Sequence, residues 1–238
     1  MSTRSVGVVG DESVAELLRD DDWTVEWRTD GSVPETDFVL AVGQPAFASV
    51  ARSATDSVVL PVDAGRGVRS VPRDSVRKAV GSLADARTER HHTLSVVRGD
   101  ERVGEAVWDV TLVTEDAARI SEFGVETPTD TIDAFRADGT VVATTAGSSG
   151  YARRAGGPVL SPSPIVAVAP IAPFATNPEH WVVPIEELTL TVERDEATVT
   201  LLIDDTPTGT VDRGEPVTLS RAGTVRVAVV DESRPRFT

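Results

Sequence analysis

Near Arg87 the hydrophobic pattern of this chain changes its period, and that change limits what the chain can fold into. Before it, strand-like and helix-like segments alternate. Ser5 to Val9 is a short apolar strand, Glu12 to Leu18 suits a short helix, and Trp23 to Trp27 alternates as a strand. Phe38 to Val42 reads as a buried strand, Pro45 to Ala54 as a helix with proline in its first turn, and Val58 to Val62 as another strand. Pro72 to Ala86 carries helical periodicity, with Val71, Val76, Val80 and Leu83 as its apolar positions. Strands alternating with helices imply a parallel sheet covered by helices. After Arg87, runs rich in valine and threonine recur between turn residues: Thr93 to Val97, Glu105 to Val113, Thr140 to Ala143, Thr189 to Val192, Thr198 to Ile203 and Val225 to Val230. That part reads as all-β. The spacing therefore predicts two domains, an α/β domain over residues 1–88 and a β-rich domain over residues 89–238.

Within the β-rich part, Phe135 to Pro162 reads FRADGTVVATTAGSSGYARRAGGPVLSP. A charged turn, Arg136-Ala137-Asp138-Gly139, leads into the apolar run Thr140 to Ala143. A loop of small residues follows, Thr144 to Gly150, closed by Tyr151, the only tyrosine, and then by Arg153 and Arg154. Small residues let a ligand approach the backbone, and hydroxyls and free N–H groups can bind polar or phosphate groups. An aromatic at the loop's end can cover a base. A glycine-rich hairpin connection fits the same spacing.

These residues carry a resemblance. The segment resembles the signature of the NAD kinase family, approximately R-x-D-G-x-x-x-x-T-P-T-G-S-T-A-Y-x-x-S-A-G-G-P. Arg136, Asp138, Gly139, Thr144, Gly147, Ser148, Tyr151, Ala155, Gly156, Gly157 and Pro158 fall on it without a gap. Pro170-Ile171-Ala172-Pro173-Phe174 is similar to the family's P-I-x-P-H. The resemblance implies an α+β two-domain fold, with a Rossmann-like α/β domain, an all-β domain, and a C-terminal end that returns to the first domain. It implies transfer of the γ-phosphoryl group of ATP, with Mg2+, onto the 2′-hydroxyl of NAD to give NADP. It also implies a nucleotide pocket containing Asp109, Asp138, Ser148, Ser149, Gly150, Tyr151 and Arg154. Asp138 would meet the carboxamide or another polar group, and Ser149 and Tyr151 would lie beside ribose and base. The family's β domains complete each other's sites, which implies a homodimer or homotetramer.

The chain departs from the family where the chemistry is done. The family's G-G-D-G motif follows a strand, and its aspartate accepts the ribose hydroxyl proton. Here Phe38 to Val42 is followed by Gly43-Gln44-Pro45-Ala46. Proline accepts no proton and removes a backbone donor. Loss of a general base typically costs roughly 10²–10⁴-fold in rate. The family's Asn-Glu or Asn-Asp pair is replaced by Trp108-Asp109. Trp108 reads as a core aromatic or as a platform for a base. Arg154 replaces a serine near the adenine, where its fork could meet a phosphate. Asp63, in Pro61-Val62-Asp63-Ala64-Gly65-Arg66-Gly67, could supply a displaced carboxylate or simply form an Asx-type turn; Asp109 is the other candidate base. Two readings follow: a non-catalytic nucleotide-binding member of the family, a pseudoenzyme, or an NAD kinase working through a displaced carboxylate.

Composition narrows the rest. The chain has no cysteine, which excludes disulfides, thiolate metal sites and cysteine nucleophiles. Its formal net charge is −15, and Lys78 is the only lysine. Such a surface repels nucleic acid and anionic membranes, so neither is an expected partner. Acidic, lysine-poor composition implies a halophile's cytoplasm, because salt screens the self-repulsion. No bilayer-spanning run or signal-peptide core is expected: the longest apolar stretch, Pro164 to Ala175, is interrupted by Pro170 and Pro173. His91, His92 and His180 are the only histidines, and His91 and His92 would point to opposite faces of a strand. No metal site is expected. Gly147-Ser148-Ser149-Gly150 lacks the hydrolase G-x-S-x-G spacing, and Gly7 and Gly10 do not make a dinucleotide fingerprint.

Overall fold

The computed structural model describes residues 4–19, 23–30, 32–116, 119–195 and 197–237. The chain divides into two compact units, one formed by residues up to His91 together with those from Gly223 onward, the other by His92–Ala222.

The first unit is a parallel sheet with helices. Its elements are β1 (Arg4–Val9), α1 (Glu12–Arg19), β2 (Trp23–Arg28), β3 (Phe38–Val42), α2 (Gln44–Arg52), β4 (Val58–Val62) and α3 (Val76–Gly81). The strands lie in the order β2-β1-β3-β4, all parallel. The later half of β16 (Val217–Val229) adds parallel to β4 through Arg226 and Val227. Val6, Val8, Leu40, Leu60 and Val62 meet Val14, Leu18, Val76, Val80 and Leu83 in one apolar core. The helix expected over Pro72 to Ala86 is broken into a 3₁₀ turn at Arg73–Ser75, α3, and a second 3₁₀ turn at Leu83–Asp85. Gly81-Ser82 breaks it: glycine is a poor helix former, and Ser82 takes non-helical angles (φ −102, ψ 0). The apolar positions still reach the core, because Val76, Val80 and Leu83 are all buried.

Among its described residues, the second unit is all β apart from one short helix. One antiparallel sheet has the order β12 (Trp181–Pro184), β11 (Ile165–Ile171), β10 (Gly139–Ala143), β7 (Asp109–Thr114), β14 (Val199–Ile203), β15 (Thr206–Val211). A second runs from the first half of β16 to β13 (Glu187–Arg194), β8 (Ser121–Glu126) and β9 (Thr131–Ala137). β5 (Arg87–Arg98) and β6 (Glu101–Ala106) form a hairpin. Val110, Leu112, Val142, Val168 and Leu201 pack with Phe123, Leu190 and Leu219 in the core of this unit.

Three expectations are corrected here. Glu105 to Val113 is not one strand, because the chain breaks at Val107-Trp108 between β6 and β7. Arg136 and Ala137 belong to β9, leaving only Asp138 between β9 and β10. The stretch from Pro164 contains a regular strand, β11. Pro170 is tolerated in it because pairing with β12 stops at Val168, so the missing N–H leaves no rung empty.

Candidate functional site

β10 is buried along its length and opens directly into the small-residue loop Thr144–Gly150, which is closed by α4 (Tyr151–Arg154). The last residue of β10, Ala143, lies opposite Asp109 at the start of β7. The kink at Val107-Trp108 is gripped from two sides. The Asp204 carboxylate accepts the N–H groups of Val107 (3.0 Å), Trp108 (2.6 Å) and Asp109 (3.2 Å). The Thr144 hydroxyl donates to the Val107 carbonyl (2.7 Å), and the Thr144 N–H donates to the Trp108 carbonyl (2.9 Å). That hydroxyl also accepts the Gly147 N–H at 3.1 Å. Gly147 is pressed so close to Trp108 that a Cβ there would collide with the Trp108 carbonyl.

This scaffold brings several expected site residues together. Asp109 is 6% exposed. Burial pushes its carboxyl up, the Asp205 and Asp204 charges add to that, and the Thr111 hydroxyl opposes it, leaving a pKa of about 7. Trp108 is half-buried rather than a fully buried core aromatic. Ser149, Gly150 and Tyr151 are half-exposed at the loop's end, and Arg153 and Arg154 are exposed on α4. Tyr151 rests on the apolar patch of Val141, Ala143, Ala152 and Ala169. Ser148 is turned inward instead: it is fully buried, donates to the Thr145 carbonyl (3.1 Å) and accepts the Leu160 N–H (2.9 Å). Its hydroxyl is spent on holding the loop closed.

Asp138 is not brought to this group within one chain. It precedes β10 at the end opposite the loop, with its N–H donating to the Ile171 carbonyl (3.0 Å) and its carbonyl accepting the Thr114 N–H (2.9 Å). At about 3.3 Å per residue, the strand separates it from Thr144 by roughly 20 Å. Asp204 and Asp205 were missed by sequence reasoning. They form the two-residue turn between β14 and β15, with Ile203 paired to Thr206 and left-handed φ values of 49 and 64. An acidic pair between alternating apolar runs was the available signal, weaker than Asn-Gly or Asp-Gly.

In the first unit, Gly43-Gln44-Pro45-Ala46, set against the family's G-G-D-G motif in the sequence, lies at the start of α2. Gly43 is left-handed (φ 85), donates its N–H to the Val62 carbonyl (2.8 Å) and accepts the Phe47 N–H (3.1 Å). Gln44 and Pro45 stand exposed in the first turn of the helix. Proline costs the helix nothing there, since first-turn N–H groups have no intrahelical acceptor. Ala46 is buried near Gly10, where an added Cβ would come within 2.8 Å of the Val42 carbonyl. Asp63, at the end of β4, is left-handed (φ 48), and its carboxylate accepts Arg234 at 3.2 Å. Nearby, buried Arg236 donates to the Gly67 carbonyl (3.0 Å) and to Glu89 (2.7 Å), strapping the C-terminal segment onto the Asp63–Ser70 loop.

His91 is buried on β5 and His92 is half-buried beside it, while His180 lies 3.2 Å from the Ala155 carbonyl. Among the described residues, no group of three or more His, Asp or Glu side chains is arranged to hold a metal ion. No helix among them is long and apolar enough to cross a membrane.

The model of the ATP-NAD kinase C-terminal domain matches residues 108–230. The NAD kinase of Methanosarcina barkeri is 33% identical over 113 residues, 47% of this chain and 41% of that protein. The NAD kinase of Methanopyrus kandleri is 28% identical over 157 residues, 63% of this chain and 57% of that protein. The chain thus matches about two fifths of the first relative's length. Among solved structures, yeast NADH kinase complexed with NADH superposes with a TM-score of 0.75 at 16% identity, covering 96% of this chain and 84% of that one. An NAD kinase from Archaeoglobus fulgidus in complex with ATP gives 0.72 at 21% identity, covering 96% of this chain and 94% of that one. The fold is the two-domain α+β fold of these nicotinamide-nucleotide kinases. The chain belongs to the NAD kinase family.

Proposed function

We propose that this protein binds NAD, NADP or a related nucleotide at the loop after β10, and that the family's reaction, ATP-dependent phosphorylation of the NAD 2′-hydroxyl to NADP, is weakened or lost in it. The observation that carries this reading is a contrast. The Thr144–Gly150 loop is built to the family pattern and locked around Gly147, whereas an exposed Pro45 stands where that pattern has its aspartate. The half-exposed Ser149 hydroxyl suits a ribose, the Tyr151 ring a base, and the Gly150 backbone close approach. The exposed Arg154 guanidinium suits a phosphate. Asp109 sits at the root of the loop to meet a ligand hydroxyl, and Ser148 supports the loop from beneath. The solved relatives that hold NADH and ATP support a nucleotide ligand.

Asp138 joins this set when a second copy brings its own β9–β10 corner to the loop, so the reading includes a homodimer or homotetramer. Mg2+ would arrive with ATP, held chiefly by the phosphates, and the carboxylates here would add one or two ligands at most. The acidic, nearly lysine-free surface supports a cytoplasm of high salt as the working environment.

One observation favours the runner-up, an active kinase with a displaced base. The Asp109 carboxyl is pushed up to about 7, near the operating pH a general base needs. Asp63 suits that role less, because Arg234 already occupies its carboxylate.

Titration calorimetry of NAD and NADP against the full chain in multimolar KCl tests the binding reading. Saturable binding is expected, weakened by about 0.5–1.5 kcal/mol in Tyr151→Ala if the ring stacks on a base. No heat of binding with either nucleotide would overturn it.

A further inference from the structure

The turn between β14 and β15 is more costly than its length requires. Both of its central residues are left-handed, Asp204 at φ 49 and Asp205 at φ 64. Two-residue hairpins of this kind are ordinarily made with Asn-Gly, and side-chain-bearing residues held at positive φ store strain that the surroundings must overcome. What Asp204 gains is a set of partners. Three consecutive N–H groups, of Val107, Trp108 and Asp109, converge on its carboxylate at 3.0, 2.6 and 3.2 Å. Successive N–H groups arranged in this way form an anion-binding concavity, and here the anion is a side chain of the same protein. Hydrogen bonds to an ionised acceptor are among the strong ones.

The partners matter because of what lies on the far side of the kink. Glu105 to Val113 has the composition of one continuous strand, yet it breaks where Asp204 pulls on it. The carbonyls of the same two residues, Val107 and Trp108, receive the Thr144 hydroxyl and N–H, and the Trp108 backbone is the wall against which Gly147 packs. Asp204 is thus linked to the kink, and the kink to the loop after β10. Asp204 needs no contact with a ligand to shape the loop that receives one.

We propose that Asp204 is a positioning residue of the nucleotide site: its carboxylate sets the Val107–Asp109 kink and, through it, the ligand-receiving shape of the Thr144–Gly150 loop. This rests on the binding reading above, and the experiment keeps the two apart. The charged groups facing Asp109 are Asp205 and Asp204 on the β14–β15 turn. Its partner on β10 is Ala143, and Thr111 is its nearby hydroxyl. Both turn aspartates therefore influence Asp109 through charge, but only Asp204 receives the kink's N–H groups.

Asp204→Ala, Asp204→Asn and Asp205→Asn would be compared with wild type in the full chain. Asparagine is favoured in this turn and keeps an acceptor oxygen, so Asp204→Asn folds even if the alanine variant does not. Without ligand, backbone amide exchange in Trp108–Asp109 and Thr144–Gly150 should rise in Asp204→Ala, rise less in Asp204→Asn, and stay at the wild-type level in Asp205→Asn. NAD affinity should fall roughly tenfold in Asp204→Ala, the loss of one buried hydrogen-bonded support, and hold in Asp205→Asn. The Asp109 titration midpoint, read by carboxyl NMR, should move down in both asparagine variants, which separates charge from hydrogen bonding. Wild-type loop exchange and wild-type NAD affinity in a folded Asp204 variant would overturn the proposal. So would equal loosening of the loop by Asp205→Asn. If wild type binds no NAD, the binding reading falls, while the exchange data still decide whether Asp204 sets the loop.

Discussion

Two segments of this molecule carry the chain from a buried strand into a helix: Gly43–Ala46 after β3, whose last three residues are already the first turn of α2, and the loop Thr144–Gly150 after β10. The second matches the family pattern at Thr144, Gly147 and Ser148, and the packing says why. Thr144 grips the kink, Gly147 has no room for a Cβ, and Ser148 is tied to Leu160. These residues are demanded by the fold, whatever the loop binds. The first loop keeps only what its fold demands, the left-handed Gly43, which passes its N–H to Val62 and its carbonyl to Phe47. Gln44 and Pro45 are exposed in a helical first turn that accepts either residue. A motif residue held by chemistry alone can be lost without harm to the fold, whereas one held by packing cannot. Retention after β10 therefore speaks for the shape of the loop, and replacement after β3 is the change that bears on the proposed loss of reaction.

The largest test of this contrast is Asp109→Asn. If the β-unit site holds a carboxylate against its preference, the fold bears that cost. The native pKa of about 7 lies above the ordinary 3.8, so over that window the folded chain keeps a proton that the unfolded chain has lost. Wild type should then lose stability as pH rises from about 4 to about 7, by up to ~4 kcal/mol, with a constant penalty above. Asp109→Asn has no such loss, so denaturant melts should show it more stable above neutral pH and equal to wild type in acid. Equal stability at alkaline pH would remove the electrostatic cost from the account.

Restoring the other loop comes next. Gln44→Gly, Pro45→Asp and Ala46→Gly together should raise NADP formation by up to about 10²-fold, the low end for a general base. An aspartate in the first turn also suits the helix, and Ala46→Gly costs only roughly 0.5–1 kcal/mol. If the triple variant gains nothing yet binds NAD, the machinery has decayed beyond this loop, with Trp108 the next residue to change.

Packing gives the smaller effects. Gly147→Ala drives a methyl into the Trp108 carbonyl and should cost about 1–3 kcal/mol of stability. Gln44→Ala, exposed, should stay within roughly ±0.5 kcal/mol. Comparable losses in the two variants would erase the difference between the loops.

Much of the fold was legible because its signals are local. Phe38 to Val42 and Val58 to Val62 are β3 and β4 residue for residue, and Pro45 marks the first turn of α2. β8 and β9 were not legible: SEFGVE and TIDAFRA mix charge, glycine and aromatics, and are made strands by pairing with each other and with β13. The loop of the candidate site was legible in outline along Thr144–Arg154, since those residues are contiguous. Three features were hidden because they depend on partners distant in sequence. Asp204 lies about a hundred residues from the N–H groups it receives. Ser148 turns inward because Leu160 offers it an N–H. Asp138 is separated from the loop by the length of a strand that the pattern itself spans.

The central claim is a nucleotide-binding fold that has given up its base, and one assay meets it directly. NADP formation by the unaltered chain, from NAD and ATP with Mg2+ in multimolar KCl, would be measured alongside NAD binding on the same sample. Saturable NAD binding is expected, with turnover at least roughly 10²-fold below that of a kinase with its base in place. Turnover in the ~1–100 s⁻¹ range usual for kinases would contradict it, and would hand the proton-accepting role to Asp109.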